Sequence, residues 1–229
     1  MELIISTLVH GRHGTAIMCN QKNREAGIEH FTCAYTRPQD RELAEAISDY
    51  QDCVPNNISR KAQASLLLTK KLRHQAVMLM GCDDYIDRDA YELIEELLKD
   101  HDYIGFKDMY FRSGEDLYLW PGYPHGKRFG EPAGAGKVLR ADLLDKLDYY
   151  VFTTRNEKTT DLDAHKRIME FAENPIFISC VEEGVKLVDV KDLDSKTPLS
   201  RFDYLIPVVP NHNNGFPGSE WFDQQQMVP

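Results

Sequence analysis

The first hundred residues alternate short apolar runs with segments whose apolar positions recur every three or four residues. The runs at 3–9 and 76–80 are almost continuously apolar, which is typical of strands buried on both faces of a parallel sheet. Strands are predicted at 3–9, 30–36 and 76–80, and helices at 11–27, 37–50, 58–73 and 88–99. This alternation predicts an α/β fold in which helices cover both faces of a sheet.

The second hundred residues contain more strand patterns and fewer helix patterns. Strands are predicted at 103–111, 116–120, 175–179 and 185–190, a hairpin loop at 112–116, and helices at 140–148 and 161–173. We therefore predict one domain over residues 1–205, with an αβα half at about 1–100 and a more antiparallel half at about 101–205. Residues 206–229 are rich in Pro, Asn, Gly and Gln, which predicts an irregular C-terminal tail.

Composition narrows the class of protein. The 229 residues are 42% hydrophobic, and they carry a formal net charge of −10. Because of this negative charge, extensive electrostatic binding to nucleic acid phosphates is not expected. The five cysteines are scattered without CxxC or metal-ligand spacing, which indicates free thiols in a reducing compartment. No apolar run reaches the roughly 18 to 20 residues that span a bilayer, and the N-terminus lacks a secretory pattern. We expect a soluble cytoplasmic protein.

The segment GCDDYI, residues 81–86, places Asp83 and Asp84 at the end of the apolar run 76–80. In open parallel sheets, ligands bind beyond the carboxyl ends of the strands. Mg²⁺ and Mn²⁺ prefer oxygen ligands, commonly one or two carboxylates together with substrate phosphates. The pair predicts a divalent-cation site that offsets diphosphate charge, although aspartates also serve in turns and helix caps. A cation site requires both side chains to line a cavity and not to be locked in bridges to arginine.

The glycine-rich segment GEPAGAG, residues 130–136, is a second candidate for ligand contact. Glycines allow the backbone to approach a ligand closely, and a helix N-terminus, which we expect to follow, would present its amides. Glu131 and Gly134 are candidates for binding an acceptor sugar, and a flexible connection is the alternative. Trp120 belongs to an aromatic set that could form a stacking platform for an acceptor, although hairpin core packing is the commoner use of such residues.

The segment TTDLDAHKRI, residues 159–168, is a third candidate. Transfer to a hydroxyl by an inverting route needs a carboxylate that removes the acceptor proton. Asp161 or Asp163 could be that base, and we prefer Asp163 because Asp161 is also a natural helix N-cap. His165 could be a third metal ligand, although an isolated histidine is more often a surface or packing residue.

Five segments together resemble GT-A glycosyltransferases, particularly family-two-like enzymes and the small stand-alone versions found in phage genomes. The matching segments, in order over about residues 1–205, are NNISRKAQASLLLTKKL, VMLMGCDDYI, GEPAGAGKVLRADLLDKL, TTDLDAHKRI and VKLVDVKDLDSKTPLSRF. The resemblance implies a GT-A fold, which is a Rossmann-like αβα sandwich with a mixed central sheet, a nucleotide-binding half and an acceptor half. It also implies that a hexosyl or pentosyl group moves from a nucleotide-diphosphate sugar to a hydroxyl acceptor, assisted by Mn²⁺ or Mg²⁺.

The resemblance also implies roles for individual residues. Asp83 would contact the ribose or diphosphate and Asp84 would ligate the metal, whereas Cys82 replaces the first acid of a full DxD motif. The basic residues expected at the donor, which could equally be solvated polar residues, are His10, Arg12, Arg60 and Lys61. A UDP-sugar is the first expected donor, the acceptor would be a glycan, a protein or a modified DNA base, and the setting would be bacterial or phage-infected cytoplasm.

Two other classes of function remain open from the sequence. Sugar-phosphate nucleotidyltransferases use a related sheet with acidic metal ligands, but they carry a glycine- and basic-rich loop after the first strand, which HGRHGTA echoes only faintly. A non-catalytic protein that binds carbohydrate or nucleotide is the other alternative. A dinucleotide oxidoreductase is disfavoured because no GxGxxG follows a strand.

Overall fold

The computed structural model describes residues 2–123, 128–153, 160–191 and 205–208. Its strands are β1 (Leu3–Leu8), β2 (His30–Tyr35), β3 (Tyr50–Cys53), β4 (Ala76–Leu79), β5 (Asp84–Ile86), β6 (Tyr103–Phe106), β7 (Met109–Ser113), β8 (Asp116–Trp120), β9 (Lys137–Arg140), β10 (Pro175–Ile178), β11 (Leu187–Val190) and β12 (Ile206–Pro207). Its α-helices are α1 (His13–Ala26), α2 (Arg41–Ile47), α3 (Ile58–Leu68), α4 (Arg88–Leu97), α5 (Ala141–Lys146), α6 (Thr160–Met169) and α7 (Cys180–Glu183).

A seven-stranded mixed sheet forms the centre of the molecule, in the order β10-β6-β9-β4-β1-β2-β3. Strand β9 is antiparallel to β4 and β6, while β1, β2, β3 and β4 pair in parallel, as do β6 and β10. Helices α3, α5 and α6 contribute apolar side chains to one face, and α1 and α4 to the other. A five-stranded second sheet has the order β12-β8-β7-β11-β5. The predicted α/β sandwich with a mixed central sheet is confirmed.

Local sequence signals explain several element boundaries. Helix α1 ends at Gly27, whose φ of 116° lies in the region that favours glycine. Helix α3 begins after Asn57, whose side chain accepts a hydrogen bond from the Arg60 amide at 2.9 Å. The predicted hairpin loop is confirmed between β7 and β8, where Gly114 adopts a φ of 60°.

The strand predicted over 103–111 is wrong, because it forms two strands in different sheets. Strand β6 belongs to the mixed sheet and β7 to the second sheet. Between them lies the buried Asp108, whose carboxylate accepts hydrogen bonds from the Ser179 hydroxyl and from the Cys180 amide. The chain turns from one sheet to the other at this polar anchor.

Four strands were not predicted, namely β3, β5, β9 and β12. Strand β3 is mostly exposed at the sheet edge, so its residues carry little apolar signal. The glycine loop leads into β9, and the helix predicted at 140–148 follows it as α5. Strand β9 inserts between β4 and β6, where Val138 and Leu139 are fully buried on opposite faces.

The end of the described chain lies at the second sheet. Ile206 and Pro207, within the predicted tail, pair with Leu119 and Tyr118 of β8, whereas residues 209–229 lie outside the described part. Among the helices in the described ranges, none has the length and apolar character needed to cross a membrane.

Candidate active site

A cavity of about 830 Å³ opens where the mixed sheet meets the second sheet. Strands β1 and β4 end at this edge of the mixed sheet, and the antiparallel β9 begins there. The cavity is therefore at the carboxyl ends of parallel strands, where ligands of open α/β sheets bind. The mixed sheet contributes Thr7, Leu79 and Lys137 to its wall, and the second sheet contributes Phe111, Trp120 and Asp189.

Three carboxylates converge at one end of this cavity. Asp83, Asp84 and Asp189 each offer an oxygen, and these oxygens lie within 4.8 Å of one another. Asp84 on β5 and Asp189 on β11 are cross-strand partners, so the pairing of these strands brings the two acids together. Like charges in that relation destabilise a sheet unless something compensates them.

Gly81 makes room for the carboxylates. Its amide donates to Asp84 Oδ2 at 2.6 Å. A Cβ atom at this position would lie 2.6 Å from Asp83 Oδ1 and 2.9 Å from Asp84 Oδ2. Any larger residue would therefore displace both acids.

The charges within the cluster are only partly compensated. Burial, together with the neighbouring carboxylates, raises the pKa of Asp84 well above its ordinary value. Burial, followed by repulsion from Asp83, raises the pKa of Asp189 to about 6. Arg12 pairs with Asp83 and Lys191 pairs with Asp189, which sets two cations against three acids.

One oxygen of the cluster lacks a hydrogen bond. Asp189 Oδ1 is buried and has no hydrogen-bond partner among the described residues. Buried polar atoms are nearly always satisfied, so an oxygen of this kind fits contact with a ligand such as a cation. Three converging carboxylates with a spare oxygen fit a hard divalent cation.

The prediction for the aspartate pair has a mixed outcome in geometry. Asp83 and Asp84 both line the cavity, as a cation site requires. Asp83 is also bridged to Arg12, whereas the Asp84 carboxylate accepts a hydrogen bond from the Gly81 backbone amide. Cys82, which stands in place of the first acid of the DxD motif, packs against the apolar cluster that contains Cys33. The third acid of the site is Asp189 instead.

A buried carboxylate fixes the loop that carries Arg12. Asp40 accepts two hydrogen bonds from Arg37 at 2.7 Å, which hold the pKa of Asp40 well below its usual range. It also lies 3.0 Å from His13 Nε2 and accepts from the Gly11 amide at 3.3 Å. Arg12 sits between these anchors with a left-handed φ of 54°, so the loop presents its side chain to Asp83.

The other predicted donor residues are placed differently. His10 and Arg60 are exposed and do not line the cavity. Lys61 is 4% exposed and also lies off the cavity wall, where burial lowers its pKa. Of the basic residues predicted at the donor, Arg12 is the one that the structure brings to the carboxylates.

The structure favours Asp161 over Asp163 on the acceptor side. Asp161, in the first turn of α6, lines the cavity, whereas Asp163 does not. Gly134 also lines the cavity and lies directly under the Asp161 carboxylate, because a Cβ on Gly134 would be 2.7 Å from Oδ2. The geometry therefore favours Asp161 over the preferred Asp163 as the candidate base, since a base must face the acceptor, and the catalytic role itself stays a prediction.

The aromatic and acidic acceptor candidates are less open than predicted. Trp120 lines the cavity but is 8% exposed, and its ring packs edge-on against Tyr123 at 4.8 Å. Glu131 does not line the cavity and pairs with Arg128 at 2.8 Å. Arg128 in turn lies 4.0 Å from the Tyr123 ring centroid. Trp120 therefore belongs mainly to the core.

His165 lies outside the carboxylate cluster. Its Nδ1 is 3.0 Å from the Tyr103 hydroxyl oxygen, and its ring is 5.6 Å from that of Phe177. The acids that gather in the described part of the chain are Asp83, Asp84 and Asp189, without this histidine. His165 lies on α6 and packs against Tyr103 and Phe177, so the geometry does not favour its predicted metal role.

Sequence reasoning missed Asp189, Lys191 and Lys137. A signal for Asp189 was present, because an acid that follows Leu187 and Val188 in a short apolar strand is unusual. Lys137 was missed because the strand that it begins was not predicted between the glycine loop and the helix at 140–148.

Comparison with solved structures finds S. aureus TarS, a GT-A-type glycosyltransferase. TarS 1–349 in complex with UDP-GlcNAc has a TM-score of 0.53 at 12% identity, covering 89% of this chain and 62% of that chain. TarS 1–349 without a named ligand has a TM-score of 0.51 at 11% identity, covering 78% and 58%. The chain has the GT-A fold. The TarS fragment in complex with UDP has a similar TM-score of 0.51, with 61% of that chain covered. The present chain thus spans about three fifths of the length of the TarS fragment.

Sequence comparisons with family models and with curated proteins find no match. The likeness in GT-A structure thus exists without detectable sequence relatives among curated proteins.

Proposed function

We propose that the protein is a cation-assisted glycosyltransferase that uses a nucleotide-diphosphate sugar as donor and a hydroxyl group as acceptor. The observation that carries the proposal is the carboxylate cluster of Asp83, Asp84 and Asp189 at the cavity wall. Its orphaned oxygen, Asp189 Oδ1, fits a bound cation better than a closed network of ion pairs. The GT-A fold supports the same class, as do the UDP and UDP-GlcNAc complexes of TarS.

Asp83, Asp84 and Asp189 would hold Mn²⁺ or Mg²⁺ through carboxylate oxygens. When bound there, such an ion offsets the negative charge of a departing diphosphate. Arg12 is placed beside Asp83 by its anchored loop and would turn to the diphosphate as a second source of positive charge. The donor would thus lie between the carboxylate cluster and the ends of β1 and β4.

Asp161 is the proposed general base of the transfer. Its carboxylate lies at the cavity wall, over the Gly134 backbone. From there it would accept the proton of the acceptor hydroxyl as the new glycosidic bond forms and the bond to the diphosphate breaks. This arrangement supports an inverting route.

Thermal unfolding with sugar nucleotides tests the proposal. UDP-, GDP- and dTDP-sugars are each added with Mn²⁺ or with EDTA, and one sugar nucleotide is expected to stabilise the protein mainly when Mn²⁺ is present. At a ligand concentration of about 100 Kd, binding adds ~2.7 kcal/mol, or a rise of about 5–10 °C for a chain of this size. Slow release of sugar from the same donor would then show turnover.

A matched pair of variants locates the effect. Asp189→Asn should lose the Mn²⁺-dependent rise, whereas Asp142→Asn, which alters an exposed carboxylate paired with Arg140, should retain it. Stabilisation by a nucleoside triphosphate together with a sugar phosphate, and not by a sugar nucleotide, would indicate a nucleotidyltransferase. No response to any nucleotide would remove the proposed function.

A further inference from the structure

Lys137 is a lysine at the centre of a sheet, where an apolar side chain is the norm. It begins β9, is 2% exposed and lines the cavity. A buried ammonium is destabilising unless acceptors surround it. Burial accordingly lowers the pKa of Lys137 to about 8. The contacts of this side chain indicate what offsets its burial.

The ammonium of Lys137 holds the glycine loop by its backbone. Lys137 Nζ donates to the carbonyl oxygen of Ala133 at 2.6 Å and to that of Gly134 at 2.9 Å. The loop therefore cannot shift without breaking charge-assisted hydrogen bonds, which are stronger than neutral ones.

Asp161 approaches the same peptide from the cavity side. A Cβ on Gly134 would lie 2.7 Å from Asp161 Oδ2 and 3.1 Å from its Cγ, so the carboxylate rests on the Gly134 backbone. Asp161 is also the acid that most strongly favours the charged form of Lys137. The other charged or titratable groups that face Lys137 or Asp161 are Tyr123, Arg128, Glu131 and His165.

We infer that Lys137 is a positioning residue for Asp161. Its ammonium fixes the Gly134 backbone on which the Asp161 carboxylate rests. This inference rests on the proposed function in one respect, namely that Asp161 acts as the base. The coupling between Lys137 and Asp161 exists in the folded protein whether or not sugar is transferred.

A double-mutant cycle measures that coupling without any substrate. Lys137→Met, Asp161→Asn and the double variant are unfolded in urea at pH 7. The loss in the double variant should be clearly smaller than the sum of the single losses. The matched control pairs Lys137→Met with Glu170→Gln, an exposed carboxylate just beyond the other end of α6, and should be additive. If Lys137→Met does not fold, Lys137→Gln replaces it, since it keeps donors and removes the charge.

Turnover of the donor gives the second readout. Lys137→Gln should lower kcat about tenfold while the affinity for donor in the thermal assay changes less than twofold. The parent enzyme should lose activity above about pH 8 as Lys137 deprotonates, and the variant should not show this basic limb.

The outcomes separate the two proposals. A coupled cycle with a pH profile that loses its basic limb supports the role of Lys137. An additive cycle, or equal losses in stability, donor affinity and kcat, would show that Lys137 only fills space and would overturn the inference. Absence of turnover with every sugar nucleotide would remove the proposed function, and the cycle would still decide whether Lys137 positions Asp161.

Discussion

Replacing Asp84 by asparagine should make the cation-free protein more stable, although the residue is buried. Asp84 is 5% exposed and faces two other acids, and its carboxylate accepts a hydrogen bond from the Gly81 amide. An asparagine oxygen can accept that same bond, while its amide group can donate to the orphaned Asp189 Oδ1. The substitution removes a buried charge and keeps the shape of the side chain.

The magnitude follows from proton linkage. Because the folded protein raises the pKa of Asp84 above 3.8, it binds the proton more tightly than the unfolded chain does, so its stability falls as pH rises above that value. At 1.36 kcal/mol per pH unit, the penalty at pH 7 is at most about 4 kcal/mol. Allowing for partial compensation by Lys191, we expect a gain of about 2 kcal/mol, or about 4–8 °C in Tm.

The assay is thermal and urea unfolding of parent and Asp84→Asn in EDTA at pH 7 and pH 4. The gain should be present at pH 7 and nearly absent at pH 4, where the parent carboxyl is protonated. With Mn²⁺ and a sugar nucleotide the order should reverse, because the variant cannot bind the cation. Asp40→Asn is the contrasting control, since Asp40 is fully buried but well paired with Arg37, and this change should cost about 2 kcal/mol at pH 7. A destabilised Asp84 variant in EDTA would refute the idea of uncompensated charge.

Three further predictions test the donor side and the fold. Gly81→Ala should abolish Mn²⁺ binding in calorimetry, because its Cβ would lie 2.6 Å from Asp83 Oδ1. The control Gly14→Ala should bind Mn²⁺ normally, because nothing lies within 4 Å of its Cβ. Tight binding by the Gly81 variant would contradict the prediction. Arg12→Ala should bind Mn²⁺ alone more tightly, because the guanidinium that competes for Asp83 is removed, and it should bind UDP about tenfold more weakly. Separate titrations with Mn²⁺ and with UDP measure both affinities, and an unchanged Mn²⁺ affinity would contradict the competition between Arg12 and the cation. Asn57→Ala should lower the free energy of unfolding by about 1 kcal/mol in urea without changing UDP binding, and lost UDP binding would instead place Asn57 at the donor.

The parts of the fold that sequence predicted are those governed by local pattern. Strand β1, the end of α1 at Gly27 and the hairpin around Gly114 follow from apolar runs and glycine chemistry within a few residues. Strand β9 was not predicted because only Val138 and Leu139 are apolar between Lys137 and Arg140, and its position between β4 and β6 makes it a strand. Tertiary pairing overrode the local signal there.

The candidate site was predictable to a similar extent. Asp83 and Asp84 were found because two adjacent acids follow an apolar strand. Asp189 was not found as their neighbour, because the pairing of β5 with β11 joins segments far apart in the chain. The choice between Asp161 and Asp163 likewise depends on how α6 sits against Gly134, which no local pattern encodes.

The pairing of β5 with β11 has a consequence for the protein as it is being made. A ribosome must release Asp189 before the third acid can join Asp83 and Asp84, so a nascent chain that ends earlier lacks the assembled cluster. A slip of one residue in this pairing would turn Asp189 to the opposite side of the sheet. The proposed metal site would therefore form late, only after nearly all of the described chain has been synthesised and β5 and β11 have paired in the correct register.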